Sequence, residues 1–381
     1  MEHFTAHRLR FACQVAEPMQ LNEQQGSAIR GAFYHALLNA FCVNREAASC
    51  TACPLVATCP VAFLVATLDP KSDRGATVPR PYTIEPPLDG KTRYAPGETL
   101  EFGLTMFARA LNLFPYVVLG MQRLEQGGLG KRLPENGYRR GRFSVRAVWA
   151  ENPLTGERQE VLRQGETMVQ VPDVPITHDQ VVQWTNQQIG KSAKQGSRES
   201  RNEEIRESGA GPSPIVNSQS AIRNSQSAIA NSQSAIRNPQ LSIRFLTPTR
   251  LVDNGQLVHH PDFRVLMQRL LERLSALARE FSDTPLVLDF GGLIRQAAAV
   301  QLVADETHWV ELESYSTRLG RATPIGGFIG QAVYQAADWS PFLPWLVWGQ
   351  FTHVGKDAVK GNGLYQLTWV EHETSNVKRQ T

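Results

Sequence analysis

The chain lacks the features that membrane-spanning and secreted proteins need. No apolar run reaches the roughly 18 residues that a membrane span requires. The start, MEHFTAHRLRFACQV, has no apolar core of the kind found in signal peptides. Charge of neither sign dominates, because 39 basic and 36 acidic residues give a net charge of +3. The sequence therefore predicts a soluble, cytoplasmic protein with no membrane partner, in which any contact with a polyanion depends on local clusters of cations.

Cysteine is absent after Cys59, and four of the five cysteines lie within 18 residues. A disulfide scaffold would spread its cysteines through a small secreted chain, so this spacing favours a metal site or a cluster of reduced thiols. Four thiolates at this spacing can reach one tetrahedral zinc ion or one iron–sulfur cluster. The candidate ligands are Cys42, Cys50, Cys53 and Cys59. Reduced thiols packed in a loop are the alternative, and Cys13, which alternates with polar residues, is predicted to lie in the core.

Aromatic residues are absent between Trp184 and Phe245, in a stretch rich in Ser, Asn, Gln, Arg and Glu. Such a composition cannot bury enough apolar surface to offset the entropy lost on ordering. The stretch includes three near-identical heptapeptides over 217–237, NSQSAIR, NSQSAIA and NSQSAIR, whose adjacent Ala and Ile do not make a coiled-coil seam. We therefore predict a low-complexity linker over 173–240, between an N-terminal domain over 1–172 with a cysteine-rich insertion at 42–59 and a C-terminal domain over 241–381.

The two predicted domains share one order of elements. Each opens with an alternating strand pattern, at Leu9 and at Leu241, and a helical pattern follows. Each closes with a helix, a glycine-rich basic loop and a strand: LFPYVVLGMQRL, GGLGKR and GRFSVRAV in the first domain, and PFLPWLVWGQF, THVGKDAVKGNG and LYQLTWV in the second. This order predicts an α+β protein made of two tandem ferredoxin-like (RRM-like) domains joined by the linker.

Cations cluster beside both glycine-rich loops. Between Lys131 and Arg146 there are six cations and a single carboxylate, Glu135, with Tyr138 and Phe143 interleaved. Backbone N–H groups beside cations suit phosphate, and aromatic rings among cations suit nucleic-acid bases. These loops lead from helix into strand, so they are not nucleotide-binding fingerprints. A tight turn and a solvated charged hairpin are the alternative interpretations.

Two histidines stand out as candidates for proton transfer. His353 follows an apolar run, where the dipole at a helix C-terminus would favour its protonated form and suit it to act as a general acid. Lys356 lies about one turn onward and could neutralise a phosphoryl oxygen. His35 points away from the apolar stripe of its helix, so it could reach a cleft. An ordinary surface or structural role is the alternative for each histidine.

The C-terminal block resembles the CRISPR-associated repeat-processing endoribonucleases of the RAMP superfamily. The resemblance is carried by LTPTRL (246–251), YSTRLGRATPIGGFIGQAVY (315–334), PFLPWLVWGQF (341–351) and HVGKDAVKGNGLYQL (353–367). The N-terminal block is similar more loosely, through IRGAFYHALL, CTACPLVATCPVAF, APGETLEFGLTMF and GGLGKR. Together these stretches cover nearly everything outside the predicted linker.

The resemblance implies a metal-independent endoribonuclease that binds CRISPR repeat RNA and cleaves precursor CRISPR RNA into guide units. A ribose 2′-OH would attack the adjacent phosphate and leave a 2′,3′-cyclic phosphate. No catalytic cofactor is implied, and a structural zinc ion or iron–sulfur cluster is a separate expectation. Proteins of a CRISPR effector complex would be further partners. The alternatives are a non-catalytic RNA-binding subunit of such a complex and a metal-dependent regulator organised by the four cysteines.

The resemblance also implies site residues. The family places its histidine variably, with a Tyr or Lys partner, so two candidate catalytic pairs remain: Tyr34 with His35, and His353 with Lys356. The implied RNA-contacting residues are Gly355, Gly361, Gly363, Arg318, Arg321, Lys131, Arg132, Arg139 and Arg140.

Overall fold

The computed structural model describes residues 1, 3–65, 79–166, 168–190, 239–316 and 321–370. The N-terminal domain contains β1 (Ala6–Val15), β2 (Met19–Gln20), α1 (Gln25–Phe41), α2 (Pro60–Val65), β3 (Tyr82–Glu85), β4 (Arg93–Tyr94), β5 (Thr99–Phe107), α3 (Phe114–Gly127), β6 (Leu129–Leu133), β7 (Arg139–Gly141), β8 (Phe143–Asn152) and β9 (Glu157–Arg163). A further helix, α4, covers 178–190. The C-terminal domain contains β10 (Gln240–Thr249), β11 (Leu251–Asp253), β12 (Gln256–Val258), α5 (Phe263–Phe281), α6 (Phe290–Ala297), β13 (Gln301–Val310), β14 (Glu313–Ser316), β15 (Arg321–Pro324), β16 (Gly327–Gln335), α7 (Leu343–Thr352) and β17 (Tyr365–Trp369).

Both domains have the strand order of a ferredoxin-like fold. The first sheet is antiparallel with the order β3-β5-β1-β8-β9, and the second is antiparallel with the order β13-β16-β10-β17. In each domain the first strand lies between the third and fourth strands of a β-α-β-β-α-β unit, and β9 adds one strand to the first sheet. The predicted fold class of two tandem ferredoxin-like domains is confirmed.

The alternating pattern of β1 produces one buried face. Leu9, Phe11 and Cys13 are buried, and in the register with β5 they lie opposite other apolar residues. The rings of Phe11 and Phe102 stack with centroids 5.1 Å apart. Because successive strand residues point to opposite faces, this side of the sheet packs against helices and the other carries polar side chains. Cys13 is therefore a core residue, as the sequence predicts.

Helix α5 forms the core of the second domain. Its Asp262 N-cap accepts a 2.8 Å hydrogen bond from the backbone N–H of Val265, which satisfies one of the free donors of the first turn. Leucines at helical spacing are fully buried at 266, 270, 274 and 277. A buried apolar face of this length anchors the helix to the sheet β13-β16-β10-β17.

The predicted linker begins later than the sequence suggests. Ile176 forms a β-bridge to Ala6 and is fully buried, and α4 follows at 178–190. The indole N–H of Trp348 donates a 3.1 Å hydrogen bond to Nδ1 of His178, which ties α4 to the C-terminal domain. The assignment of 173–190 to a linker is therefore corrected, because Ile176 and Val181 bury apolar side chains that local composition does not reveal. The heptapeptide repeats at 217–237 lie outside the described residues.

The domains contact each other through the end of α7 and the turn that follows it. The hydroxyl of Thr83 on β3 donates a 2.9 Å hydrogen bond to the carbonyl of Phe351. A Cβ at Gly26 would overlap the carbonyl oxygen of Lys360, so the start of α1 sits directly against this turn. The turn thereby fixes the position of α1 relative to the second domain. Among the described helices, none has the length and apolar character needed to cross a bilayer.

Candidate functional site

Helix α1 presents three small or polar residues toward one cleft. Ser27, Gly31 and His35 follow one another at intervals of four residues, so they share a face of the helix. The cleft has a volume of about 220 Å³. Its other lining residues are Asn22, Ala28, Ala32, Gly130, Lys131 and Arg140. An imidazole and two cations therefore meet in a space large enough for part of a nucleotide.

The hairpin β6–β7 forms the opposite wall because its glycines let it approach the chain before α1. Gly130 has a φ of +85° and a Cβ there would overlap the carbonyl oxygen of Gln20. The side-chain amide of Asn136 donates a 2.8 Å hydrogen bond to the carbonyl of Pro18. These contacts hold Lys131 and Arg140 beside α1.

The electrostatics of the cleft favour a neutral imidazole. His35 is exposed to solvent, and its pKa is lowered from the ordinary value by partial desolvation, then by the positive charges of Arg140 and Arg30. A histidine with a lowered pKa is unprotonated at neutral pH and can accept a proton. His35 therefore has the protonation state of a general base.

Tyr34 lies beside His35 but is not one of the residues that line the cleft. The two rings are edge to face with centroids 5.2 Å apart, and the guanidinium of Arg30 lies 5.6 Å from the centre of the Tyr34 ring. Tyr34 is half-buried against the core of the N-terminal domain. Its contact with His35 is a ring contact, which can orient the imidazole, and its catalytic role stays a prediction.

The hairpin carries an exposed group of cations. Lys131, Arg132, Arg139 and Arg140 are all exposed, as the sequence predicts for an RNA-binding surface. Glu17 pairs with Arg142 at 2.6 Å and more distantly with Arg139 at 3.9 Å. Within the described part of the chain, Lys131, Arg132 and Arg140 form no ion pair. Three positive charges are therefore available to phosphates at this edge of the cleft.

His353 does not have the environment expected from the sequence. It is fully buried where the two domains meet, and its Nδ1 lies 3.2 Å from the carbonyl oxygen of Asn362. Burial lowers its pKa to about 4, and the positive charge of Arg273 acts in the same direction against the influence of Glu85. The expectation of a protonated, accessible general acid is corrected, because desolvation outweighs the dipole of the preceding helix.

The C-terminal glycine loop is a packing element. The backbone N–H of Gly361 donates to the carbonyl of Ala358 and that of Gly363 to the carbonyl of Pro248. Both glycines are buried with positive φ, and a Cβ at Gly363 would overlap the carbonyl oxygen of Val354. These N–H groups are already used within the protein, so their interpretation as phosphate donors is corrected. Gly355 is half-buried and its contact with RNA stays a prediction.

The remaining predicted residues lie apart from the cleft lining. Lys356 is exposed on the turn after α7, and Arg321 is exposed at the start of β15. Arg318 lies outside the described residues. The hairpin that carries Arg321 is joined to α1, because the hydroxyls of Ser27 and Ser314 form a hydrogen bond of 2.8 Å.

The four clustered cysteines share one region without forming a metal-binding group. Partial burial raises the pKa of the Cys50 thiol, and Cys59, Cys42 and Cys53 add to the effect. All four are free and half-buried. Over the described ranges, no three His, Cys, Asp or Glu side chains are arranged to hold a metal ion. The described residues therefore give no support to the predicted zinc or iron–sulfur site.

Several residues that line the cleft, and Ser314 beside them, were not predicted from the sequence. Ser27 and Gly31 share the helical phase of His35, so the four-residue spacing was a signal that could have identified them. Asn22 precedes the helix and had no such signal. Ser314 could not have been found, because it is 287 residues from Ser27 and no local pattern relates the two.

Two family models match the chain. Residues 243–365 match a model described as CRISPR-associated endoribonuclease Cas6, and residues 4–174 match a model described as an N-terminal domain. No curated protein matches. The C-terminal match covers the stretch on which the resemblance to repeat-processing endoribonucleases depends, and that resemblance is confirmed.

Solved structures of Cas6 proteins are similar to nearly the whole chain. A partial Cas6-RT-Cas1–Cas2 complex aligns with a TM-score of 0.52 at 12% identity, over 97% of this chain and 47% of that chain. A Cas6 product complex aligns with a TM-score of 0.48 at 14% identity, over 96% of this chain and 99% of that chain. Thermus thermophilus Cas6 aligns with a TM-score of 0.48 at 12% identity, over 96% and 99%. At these identities the likeness concerns the fold.

Proposed function

We propose that the chain is an endoribonuclease of the Cas6 kind, because residues 243–365 match the model of that family, and that it binds CRISPR repeat RNA and cleaves precursor CRISPR RNA. The proposed site is the cleft between α1 and the β6–β7 hairpin. One observation carries the proposal: His35, with its lowered pKa, lines the same cleft as Lys131 and Arg140. A base can take the proton of an attacking ribose hydroxyl, and the two cations can stabilise the charge that develops on the phosphate.

The proposed reaction needs no group beyond the chain and the RNA. His35 takes the proton of a ribose 2′-OH, and the 2′ oxygen forms a bond to the adjacent phosphorus. The bond from phosphorus to the 5′ oxygen breaks, and the ammonium of Lys131 protonates that leaving oxygen. Arg140 neutralises the charge that develops on the phosphoryl oxygens. The products are a 2′,3′-cyclic phosphate and a 5′-OH end, with one proton moved from substrate to His35 and one from Lys131 to product.

The partners follow from the same proposal. The RNA is the repeat of a CRISPR transcript, held by the exposed cations of the hairpin. The structures similar to this chain include Cas6 with bound product and Cas6 joined to Cas1 and Cas2, which supports CRISPR proteins as further partners. Sequencing the RNA that co-purifies with the full chain from its host identifies the repeat for the tests below.

The deciding experiment is cleavage of the end-labelled repeat RNA in excess EDTA, under single-turnover conditions. We expect the wild type to cleave at one position and His35→Ala to lose about 10² to 10⁴-fold in rate, because that is the usual contribution of a positioned general base. The matched control is His353→Asn, which changes the buried histidine and should leave the rate within about twofold.

Three results would contradict the proposal. Cleavage by His35→Ala at the wild-type rate would remove His35 from the mechanism. Salt-dependent binding of the repeat by the wild type without any product would instead select the non-catalytic RNA-binding subunit. A product that carries no cyclic phosphate would reject the proposed nucleophile.

A further inference from the structure

The tip of the β6–β7 hairpin exposes an aromatic ring. Tyr138 is 71% exposed, and it is the one aromatic residue among the exposed large hydrophobic side chains of the described residues. Within the same described ranges, its side chain contacts no aromatic ring or cation and forms no hydrogen bond. The ring therefore contributes little to the packing of the fold.

The backbone at this tip is held in an uncommon conformation. Tyr138 has a φ of +60°, directly after Gly137, which has a φ of +64°. A bulky side chain at positive φ is strained, whereas glycine or asparagine at that position would not be. The backbone N–H of Tyr138 bonds to the carbonyl of Leu133 at 2.9 Å, and Arg139 Nε donates to the carbonyl of Asn136 at 3.0 Å. Hydrogen bonds thus hold the tip of the hairpin in a strained backbone conformation, and the ring of Tyr138 is exposed there.

Cations surround this ring on the hairpin. Arg139 and Arg140 follow it directly, and Lys131 and Arg132 lie on the paired strand, where Arg132 is opposite Arg140. The nearby carboxylates are already occupied, Glu135 by Arg93 at 2.9 Å and Glu17 by Arg142 at 2.6 Å. Lys131, Arg132 and Arg140 form no ion pair within the described residues, and an exposed ring beside such cations fits a polyanion that carries aromatic bases, since cations bind its phosphates and the ring stacks on a base.

We propose that Tyr138 is a base-stacking platform that holds an unpaired nucleotide of the RNA next to the cleft. The inference rests on the proposed function for the identity of the RNA, but it concerns a different contact from the catalytic one. Arg140 connects the two, because it lies two residues from Tyr138 and also lines the cleft with His35. A base stacked on Tyr138 would fix the register of the strand before it reaches the imidazole.

The test uses the full chain and the repeat RNA with 2-aminopurine placed at one unpaired position at a time. His35→Ala is the background, so that the RNA stays intact. We expect quenching of 2-aminopurine fluorescence at one position, its loss in Tyr138→Ala and its retention in Tyr138→Phe. The dissociation constant should rise about 5- to 150-fold in Tyr138→Ala, the range observed when a stacking ring is removed. Leu257→Ala, which trims an exposed apolar side chain of the C-terminal domain, is the control and should change nothing.

Tyr138→Gly separates a binding role from a structural one. Glycine relieves the strain at positive φ, so this variant should keep or raise the melting temperature while it weakens RNA binding as Tyr138→Ala does. A lower melting temperature together with unchanged affinity would overturn the proposal. So would affinity within twofold of the reference in Tyr138→Ala, or the absence of any Tyr138-dependent quenching.

The outcomes also distinguish this inference from the proposed function. Cleavage by the wild type together with unchanged affinity in Tyr138→Ala rejects the stacking platform and leaves the endoribonuclease intact. Tyr138-dependent quenching by a wild type that makes no product supports the platform and rejects the cleavage.

Discussion

The two domains share one fold but differ in the exposure of their histidines and glycine-rich loops. In the first domain His35 is exposed on α1, and the glycines after α3 lead into an exposed basic hairpin. In the second domain His353 is fully buried after α7, and the glycines lead through a buried turn straight into β17. The difference lies in what covers each loop: the second loop packs against β3 and the start of α1, while the first packs its glycines against the chain before α1 and leaves its cations exposed.

This comparison shows that one order of helix, loop and strand can serve two purposes. The second loop positions the helix that carries His35, since Lys360 lies against Gly26 and Thr83 bonds to Phe351. The first loop supplies the cations that face the same helix. One domain thereby holds α1 in place, and the other carries the side chains of the proposed site.

The largest expected effect is the stability that the protein loses at acid pH because His353 is buried. His353 has a pKa of about 4 in the folded protein and about 6.5 when unfolded, so below pH 6.5 the unfolded state binds more protons. Its contribution to stability is fully present above pH 6.5 and is lost as the pH falls toward 4. The loss at pH 4 is about 3 kcal/mol, from the shift in pKa. Urea unfolding of the wild type and His353→Asn between pH 7 and pH 4 measures it.

Asparagine is the suitable replacement, because it keeps a donor for the Asn362 carbonyl and tolerates the φ of +59° at this position. His7, whose pKa is also lowered to about 4 by burial, remains in both proteins and so cancels in the difference. An equal acid sensitivity in the two proteins would mean that His353 is not held neutral at the domain interface.

The second prediction compares two glycines of α1. Gly26→Ala should lower the free energy of unfolding by about 1–3 kcal/mol, because the added Cβ overlaps the Lys360 carbonyl. Gly31→Ala in the same helix should raise it by about 0.5–1 kcal/mol, because no atom lies within 4 Å of the added Cβ and alanine favours helix. Urea unfolding at pH 7 compares them. Equal effects would show that the turn after α7 does not bear on α1.

Much of the fold was predictable because its signals are local. The alternation at Leu9, Phe11 and Cys13 predicted a half-buried strand, and the helical phase of His35 predicted an exposed imidazole. The burial of His353 was not predictable, because a loop at the end of a helix has the same sequence pattern whether or not another domain covers it. The cysteine spacing was equally ambiguous, since it constrains reach along the chain and says nothing of the arrangement of sulfur atoms.

The third prediction compares how the cations of the two loops contribute to the salt dependence of RNA binding. Lys131→Ala combined with Arg132→Ala should reduce the slope of log affinity against log salt by about 1.4, at roughly 0.7 per contact with single-stranded phosphate. Lys360→Ala should leave the slope unchanged, since Lys360 is paired with Asp357 at 2.8 Å. Filter binding of the repeat RNA at several salt concentrations measures both. A larger change of this slope in Lys360→Ala would indicate that the RNA binds to the second domain instead.

The smallest expected effect is a shift in the pH dependence of cleavage. His35 must be unprotonated to accept the 2′-OH proton, so the rate should fall at acid pH, with a midpoint below the ordinary histidine pKa of about 6.5. Arg140 is one cause of the lowered pKa, so Arg140→Gln should raise the pKa of His35 and move this midpoint to higher pH.

The loss of Arg140 also slows the reaction at every pH, but a uniform decrease in rate does not change the pH at which the midpoint lies. Single-turnover rates from pH 5 to pH 8, with Arg142→Gln as a control whose charge is paired with Glu17, separate the two effects. A midpoint that moves to lower pH, or moves equally in the control, would show that Arg140 does not act on the imidazole and that the cleft is not the unit in which the proton is transferred.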